Sequence, residues 1–370
     1  MARFLWLLLL AAAAAPAADP ARVKWLSVAD RLVSGAAESW AFDWGEGVQM
    51  SGLMRVHERT GEGRYADFVA RWADFHVAKG AEVLLGNSPE SKRGQDSVRG
   101  ATRGYCGHWV SGTAVALLHE ARKRPEYLQT ALEIAGYIRA GAQRGPQGEL
   151  GHFIGNYQIW VDTLNMSCPL LSRLSAVQNR PAWLEDAANQ LLVAARHMQD
   201  EKTGLFYHMW DWQHDRRSPV QWGRGNGWVT MSLADTFEFL PEGHRLYAPL
   251  RRLAEAQARG LLAAQDRDGL WHTIMTDAAS YAECSATTMA AYGLLKMVRL
   301  GVLPAKYRTA ALRAWAEVNR RWVEDGAVTG VSGGTAPSGP DHYLTRPQGT
   351  YPWGTGAYLL AGSEADLARR

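Results

Sequence analysis

The chain has 370 residues, 47% of them hydrophobic and 21% charged, with 37 Gly and 15 Pro. That is ordinary globular composition, and it excludes disorder, a collagen-like repeat and a polytopic membrane protein. The formal net charge is +3 and the basic residues are scattered, so there is no electrostatic footprint for nucleic acid.

In chain order, residues 1–18 come first: one cation, Arg3, then an apolar run over 4–15, then small residues ahead of Asp19. This is the pattern of a secretory signal peptide. A membrane anchor is the alternative, but the run is shorter than the roughly 20 residues a spanning helix needs, and Pro16 and Asp19 follow at once. The expectation is therefore a signal over 1–18 and an exported mature chain, periplasmic or extracellular, with no stable membrane insertion. Residues 19–370 are read as a single catalytic domain. Cys106, Cys168 and Cys284 are too few and too far apart for a disulfide framework or a paired-cysteine metal site, so buried free thiols are expected.

Beyond the signal, apolar residues recur at helical spacing in paired segments, and strand-like alternation is scarce. The pairs are 47–60 with 63–78, 107–122 with 125–140, 160–178 with 181–198, 225–240 with 244–264, and 283–300 with 304–322. A last helix at 352–362 pairs with an opening helix at 22–34. Within pairs the break is a helix stop and restart carrying Gly or Pro, as at Gly61, Pro125, Pro181, Pro241 and Pro304. The connectors Gln199–His208 and Gln265–His272 repeat one pattern, which reads as internal duplication. The predicted fold class is all-α, with six helical hairpins closing into an (α/α)6 barrel; an open solenoid is the alternative.

The 16 Trp against 8 Phe are the unusual feature. Trp44, Trp109, Trp160, Trp222, Trp228 and Trp353 all fall at or near the start of the first helix of a pair, which predicts one aromatic rim at one end of the barrel. Such a rim suits a sugar-binding cleft, because pyranose C–H faces stack on indole while polar neighbours bind hydroxyls. Asp43, His108, Asp162, Asn165, Arg224, Asn226 and Glu283 share that phase, with His208 and His272 on the preceding connectors.

Asp162 sits in an apolar, aromatic frame near a helix start, where burial and the helix dipole pull its pKa in opposite directions; acid/base catalysis and simple helix capping both fit. In Gln221-Trp222-Gly223-Arg224-Gly225-Asn226-Gly227-Trp228, the alternating glycines would let backbone approach a ligand, and Arg224 offers a fork for a carboxylate or for a structural ion pair. The histidines have no metal-ligand spacing, and no Gly-x-Ser-x-Gly elbow is present.

Taken together, Trp160-Val161-Asp162-Thr163-Leu164, Gly204-Leu205-Phe206-Tyr207-His208, Trp222 to Trp228, and Trp353-Gly354-Thr355-Gly356-Ala357 resemble the unsaturated rhamnogalacturonyl hydrolases of glycoside hydrolase family 105, related to the unsaturated glucuronyl hydrolases of family 88. The resemblance spans about residues 40–361. It implies an (α/α)6 barrel that removes a 4,5-unsaturated uronic acid from the non-reducing end of lyase-generated oligosaccharides, with no metal and no cofactor. It implies that the catalytic residue is Asp162, protonating C4 and activating the water that adds at C5. It also implies that His208, Trp222, Arg224 and Trp228 line the site. Trp44, Asp43, His108, Trp109, Trp160, Asn226 and Trp353 complete the expected substrate-binding set, and Arg224 is assigned the sugar carboxylate on chemical grounds.

The chain departs from the family pattern at Tyr105-Cys106-Gly107-His108-Trp109, where a second Asp is often found, and His108 and Asp43 are the candidates to replace it. On the residues alone, three other readings stay open: a two-carboxylate glycosidase using Asp162 with Glu283 or Asp43, an epimerase or isomerase using His108, His208 and His272 as bases, and a non-catalytic carbohydrate-binding protein.

Overall fold

The computed structural model describes residues 19–86 and 104–369. The signal segment and nearly all of the 86–104 loop, read from its composition as a cleft cover, lie outside the described residues. The helices are α1 (Pro20–Val33), α2 (Trp44–Thr60), α3 (Gly63–Val77), the short α4 (Ala81–Leu84), α5 (Ser111–Arg122), α6 (Pro125–Ala140), α7 (Val161–Val177), α8 (Pro181–Met198), α9 (Gly223–Phe237), α10 (Tyr247–Ala264), α11 (Cys284–Arg299), α12 (Lys306–Arg321), the short α13 (Pro340–Leu344) and α14 (Pro352–Ala368).

The ends follow local chemistry. Asp19 and Asp43 cap α1 and α2 by accepting backbone N–H groups, and Pro opens α1, α6, α8 and α14. Gly61 ends α2 in the left-handed conformation at φ 73°. Helix α14 runs six residues beyond the predicted 352–362. Its polar last turns are held from outside, Glu364 by Arg299 and Asp366 by Arg22 and Arg59.

The six helices α2, α5, α7, α9, α11 and α14 pack side by side, and α14 returns against α2. Their partners α3, α6, α8, α10, α12 and α1 lie outside them. The predicted hairpins therefore close into a ring, the (α/α)6 barrel, and the open solenoid is excluded. Closure depends on small residues at the seam: a Cβ on Gly356 would lie 2.5 Å from the backbone of Val48 and Gln49, and one on Gly52 would lie 2.9 Å from the Gly356 carbonyl.

Among the described residues, short strands occur only in the connectors. β1 (Gln158–Trp160), β2 (Met209–Asp211) and β3 (Arg216–Arg217) form an antiparallel sheet. Two-stranded pairs join β4 (Val323–Glu324) with β5 (Ala327–Val328), and β6 (Val331–Ser332) with β7 (Gln348–Gly349). No described helix is long and apolar enough to cross a membrane. All three cysteines are buried and unbridged, as expected.

Candidate active site

Because every inner helix runs in the same direction, all six inner N-termini meet at one end of the barrel. Their aligned dipoles make that end favourable for an anion. A cavity of about 300 Å³ lies there, lined by Trp44, Tyr105, His152, Phe153, Trp160, Asp162, Met166, Trp222, Arg224 and residues 334–336. Among the described residues lining it, Asp162 is the only acidic one.

Asp162 occupies the second position of α7 and does not cap it; the N-cap is Trp160, which makes no side-chain capping bond. The carboxyl instead meets His208, with Oδ2 3.2 Å from Nε2. His208 is fully buried, and its backbone carbonyl accepts from Val161 N at 3.0 Å, which places the imidazole beside the first turn of α7. Burial works against the Asp162 charge. The hydrogen bond from His208 and the nearby Arg224 guanidinium outweigh it, so the carboxyl lies below the ordinary aspartate range. Burial likewise pushes the His208 pKa down, which leaves a neutral ring beside an ionised carboxylate at neutral pH.

Composition and spacing did not single out His152. Its ring stacks on Trp160 at 3.8 Å, and its Nδ1 lies 3.1 Å from Thr163 Oγ1 and 3.2 Å from Cys106 Sγ. Burial pushes its pKa down to about 4, so it too is neutral at physiological pH. Burial raises the Cys106 thiol well above its usual range, so it is no nucleophile. Tyr105, Phe153, Met166 and residues 334–336 were also missed. For Tyr105, Phe153 and residues 334–336 the available signal is their position on connectors, and for Met166 its place one helical turn after Asp162 on α7.

The indoles divide into two groups. Trp44, Trp160 and Trp222 face the cavity. Trp353 stacks behind Trp44 at 4.1 Å, and Trp228 meets Trp44 edge-on at 6.4 Å, wholly buried. Trp109 is also wholly buried, edge-on to Tyr137 of the outer helix α6 at 6.3 Å. These three do not line the cavity. Neither do His108, which is buried beside Tyr105, or Asp43, whose carboxylate accepts from Trp44 N at 2.8 Å. Asn226 is buried and spends its amide on backbone, bonding Phe206 N and O and Trp222 O.

Two local expectations need correction. The glycines of the 221–228 segment do not open backbone to a ligand. A Cβ on Gly223 would lie 2.2 Å from the His272 carbonyl, one on Gly225 would meet Val161 and Trp222, and one on Gly227 would lie 2.6 Å from Met289 Cβ, so protein already fills that space. Nor is the Arg224 fork free. Nη1 donates to Ser332 O at 2.9 Å and to Ser332 Oγ, and Nη2 donates to Gly333 O at 2.9 Å and Thr335 Oγ1 at 3.1 Å. Only the Nε–H is unspent. Arg224 thus holds in place the strap that forms one cavity wall, with its guanidinium 4.3 Å over the Trp222 ring.

Glu283 supports the same strap from α11. Its carboxylate accepts from Ser285 N, Ser285 Oγ, Ala286 N and Ser332 N. It is fully buried and fully occupied, so it is not a second acid for Asp162. His272 pairs with Asp266 at 3.0 Å in a separate groove between the two duplicated connectors. The three histidines required by an epimerase therefore do not converge.

The Glycosyl Hydrolase Family 88 pattern matches residues 23–367. The chain belongs to glycosyl hydrolase family 88. It is 30% identical to the unsaturated rhamnogalacturonyl hydrolase YesR of Bacillus subtilis, over 85% of this chain and 86% of that one. It is 32% identical to an unsaturated 3S-rhamnoglycuronyl hydrolase of an Alteromonas species, over 58% of this chain and 53% of that one. Among solved structures, a possible GH105 member from Klebsiella pneumoniae superposes with a TM-score of 0.83 at 26% identity, covering 100% of both chains. This family 88 chain is accordingly an enzyme, a glycoside hydrolase built on the family's (α/α)6 barrel.

Proposed function

We propose that this family 88 enzyme removes the 4,5-unsaturated uronic acid from the non-reducing end of oligosaccharides released by polysaccharide lyases, with pectic rhamnogalacturonan as their source. The observation that carries the reading is a single carboxyl, Asp162, in an aromatic cavity with no second free acid among the described lining residues. Ordinary retaining or inverting hydrolysis needs two carboxyl groups. Hydration of a vinyl ether needs only one group that gives a proton and then takes one. Protonated Asp162 delivers its proton to C4, and the resulting carboxylate accepts a proton from water as its oxygen bonds C5. The C5 hemiketal then opens, and the C1 hemiacetal collapses to release the remaining saccharide.

The surroundings fit this chemistry. Trp44, Trp160 and Trp222 offer faces for the flat unsaturated ring, and the converging helix N-termini favour the uronate. Its carboxylate finds the neutral His152 ring, the Trp222 indole N–H and the one unspent N–H of Arg224, rather than a guanidinium fork. The exported location expected from residues 1–18 agrees with a substrate generated outside the cell.

The test is loss of the ultraviolet absorbance of the conjugated unsaturated uronate during incubation with lyase-generated pectic and glycosaminoglycan-like oligosaccharides. Wild type should consume the pectic fragments and Asp162→Asn should not. Release of sugar with the absorbance intact would instead indicate a saturated-glycoside hydrolase.

A further inference from the structure

We infer that Tyr343 is a positioning residue for the Asp162 carboxyl: through His208 it sets which imidazole nitrogen carries the proton. The inference deepens the proposed function and rests on Asp162 as its acid/base group.

The argument is one of donors and acceptors. The Tyr343 hydroxyl lies 2.8 Å from His208 Nδ1, and the Ser338 N–H points at the same hydroxyl at 3.3 Å. A phenol has one proton. The Ser338 N–H donates to its oxygen, and Nδ1 is the acceptor within reach of the Tyr343 O–H, so Nδ1 is the unprotonated nitrogen. The ring proton is then on Nε2, 3.2 Å from Asp162 Oδ2, where it donates to the carboxylate. The opposite tautomer would leave the Tyr343 O–H without its acceptor and set two acceptors against each other at Nε2.

Tyr343 is wholly buried on α13, 135 residues from His208 in sequence, and among the described residues its hydroxyl bonds no other side chain. Burial raises its pKa, so it keeps the proton it donates. The titratable and charged groups facing His208 are Asp162 from α7, His152 from the connector before α7, Arg224 from α9, and His342 and Tyr343 from α13. Asp162 also faces His152 on the connector before α7, and Cys106 lies beside that ring. Because the Nε2–H occupies Oδ2, the protonated carboxyl carries and gives up its proton at Oδ1 only, and where an outer partner orients a histidine, as at metal sites, its loss typically reduces activity about 10- to 100-fold.

Two measurements test this. In protein labelled with ¹⁵N at histidine, ¹H–¹⁵N correlations distinguish the tautomers, and the His208 signals are those lost in His208→Gln. Wild type should show His208 protonated at Nε2 without any substrate present; protonation at Nδ1 overturns the inference. Tyr343→Phe, with its fold checked by circular dichroism, should lower kcat about 10- to 100-fold with KM changed by less than about two-fold. The alkaline limb of its kcat–pH profile should move upward, because a carboxylate that loses its donor becomes a weaker acid. A merely structural role would not move that limb, and a folded Tyr343→Phe with wild-type kcat and limb overturns the inference. If Tyr343→Phe does not fold, the wild-type tautomer decides. Failure of the wild type to turn over any unsaturated uronide counts against the proposed function alone, since the tautomer is read without substrate.

Discussion

At the scale of single residues, the site works by assigning each polar group one task. Among the described lining residues, Asp162 alone brings a carboxyl into the cavity. Asp162→Asn keeps the shape and removes the proton, so kcat should fall about 10²- to 10⁴-fold while substrate still protects the protein thermally; turnover at the wild-type rate would remove Asp162 from the chemistry. In the free enzyme the carboxyl is ionised at neutral pH, yet the first step needs its proton. Thus kcat/KM should decline from acid toward alkaline pH. The limb for kcat should lie higher, because a bound uronate disfavours a second negative charge. A kcat/KM that is flat from pH about 5 to 8 would contradict that assignment. Arg224 is different: its Nη hydrogens hold Ser332, Gly333 and Thr335. Arg224→Lys keeps the charge but cannot reach all these acceptors. It should cost about 1–3 kcal/mol in stability, measured by urea unfolding, and lower kcat/KM through a loosened strap.

At the scale of elements, glycine lets inner helices approach where a barrel must close. Gly293 of α11 has no room for a Cβ, which would lie 2.5 Å from the Thr230 side chain on α9, and Gly356 of α14 presses on the backbone of α2. The obstacle at Gly356 is main chain, which cannot rotate aside. Gly356→Ala should therefore destabilise the barrel by about 1–3 kcal/mol despite alanine's better helix propensity. Gly136, on the outer helix α6 with nothing within 4 Å of its virtual Cβ, is the control, and Gly136→Ala should be neutral or stabilising. Paired thermal melts of the two variants check the contrast.

At the scale of the whole molecule, the barrel has one end that holds the cavity and one end closed by charge. Opposite the cavity, Lys296 is buried and its Nζ lies 2.5 Å from Asp235 Oδ1 and 2.8 Å from Glu238 Oε2. Arg55 and Arg173 also reach Glu238, from α2 and α7. Burial opposes the Glu238 charge, but Lys296, Arg55 and Arg173 outweigh it and bring its pKa down from the ordinary 4.5 to about 2. A carboxyl with a depressed folded pKa stabilises the protein above its unfolded pKa, and that contribution disappears as pH falls from 4.5 through about 2. Lys296→Met leaves Asp235 with the Tyr292 hydroxyl and no cation, and Glu238 with only the longer contacts of Arg55 and Arg173. It should lower stability at neutral pH by about 3–5 kcal/mol and shift acid unfolding to higher pH, read from melts across pH. An unchanged acid transition would show that the network does not hold this end of the barrel.

Sequence alone determined the helical hairpins, because a 3.6-residue apolar period and a Pro or Gly break are local signals that each segment carries in full. It also determined the common phase of the aromatic and polar residues, and so the end of the barrel where the cavity lies, because parallel inner helices carry one phase to one face. Asp162, Trp44, Trp160, Trp222 and Arg224 were legible in this way. Phase does not say which way a side chain turns. Only the packed ring decided that Trp109, Trp228 and Asn226 face protein, that Glu283 is spent on a strap, and that Arg224 holds that strap rather than offering a fork. His152 joins the site from the connector just before α7 and Tyr343 from the distant α13, and no local pattern marks either. Hydrogen-bond partners and burial are set by contacts across the closed barrel, and those contacts exist only once α14 has returned to α2.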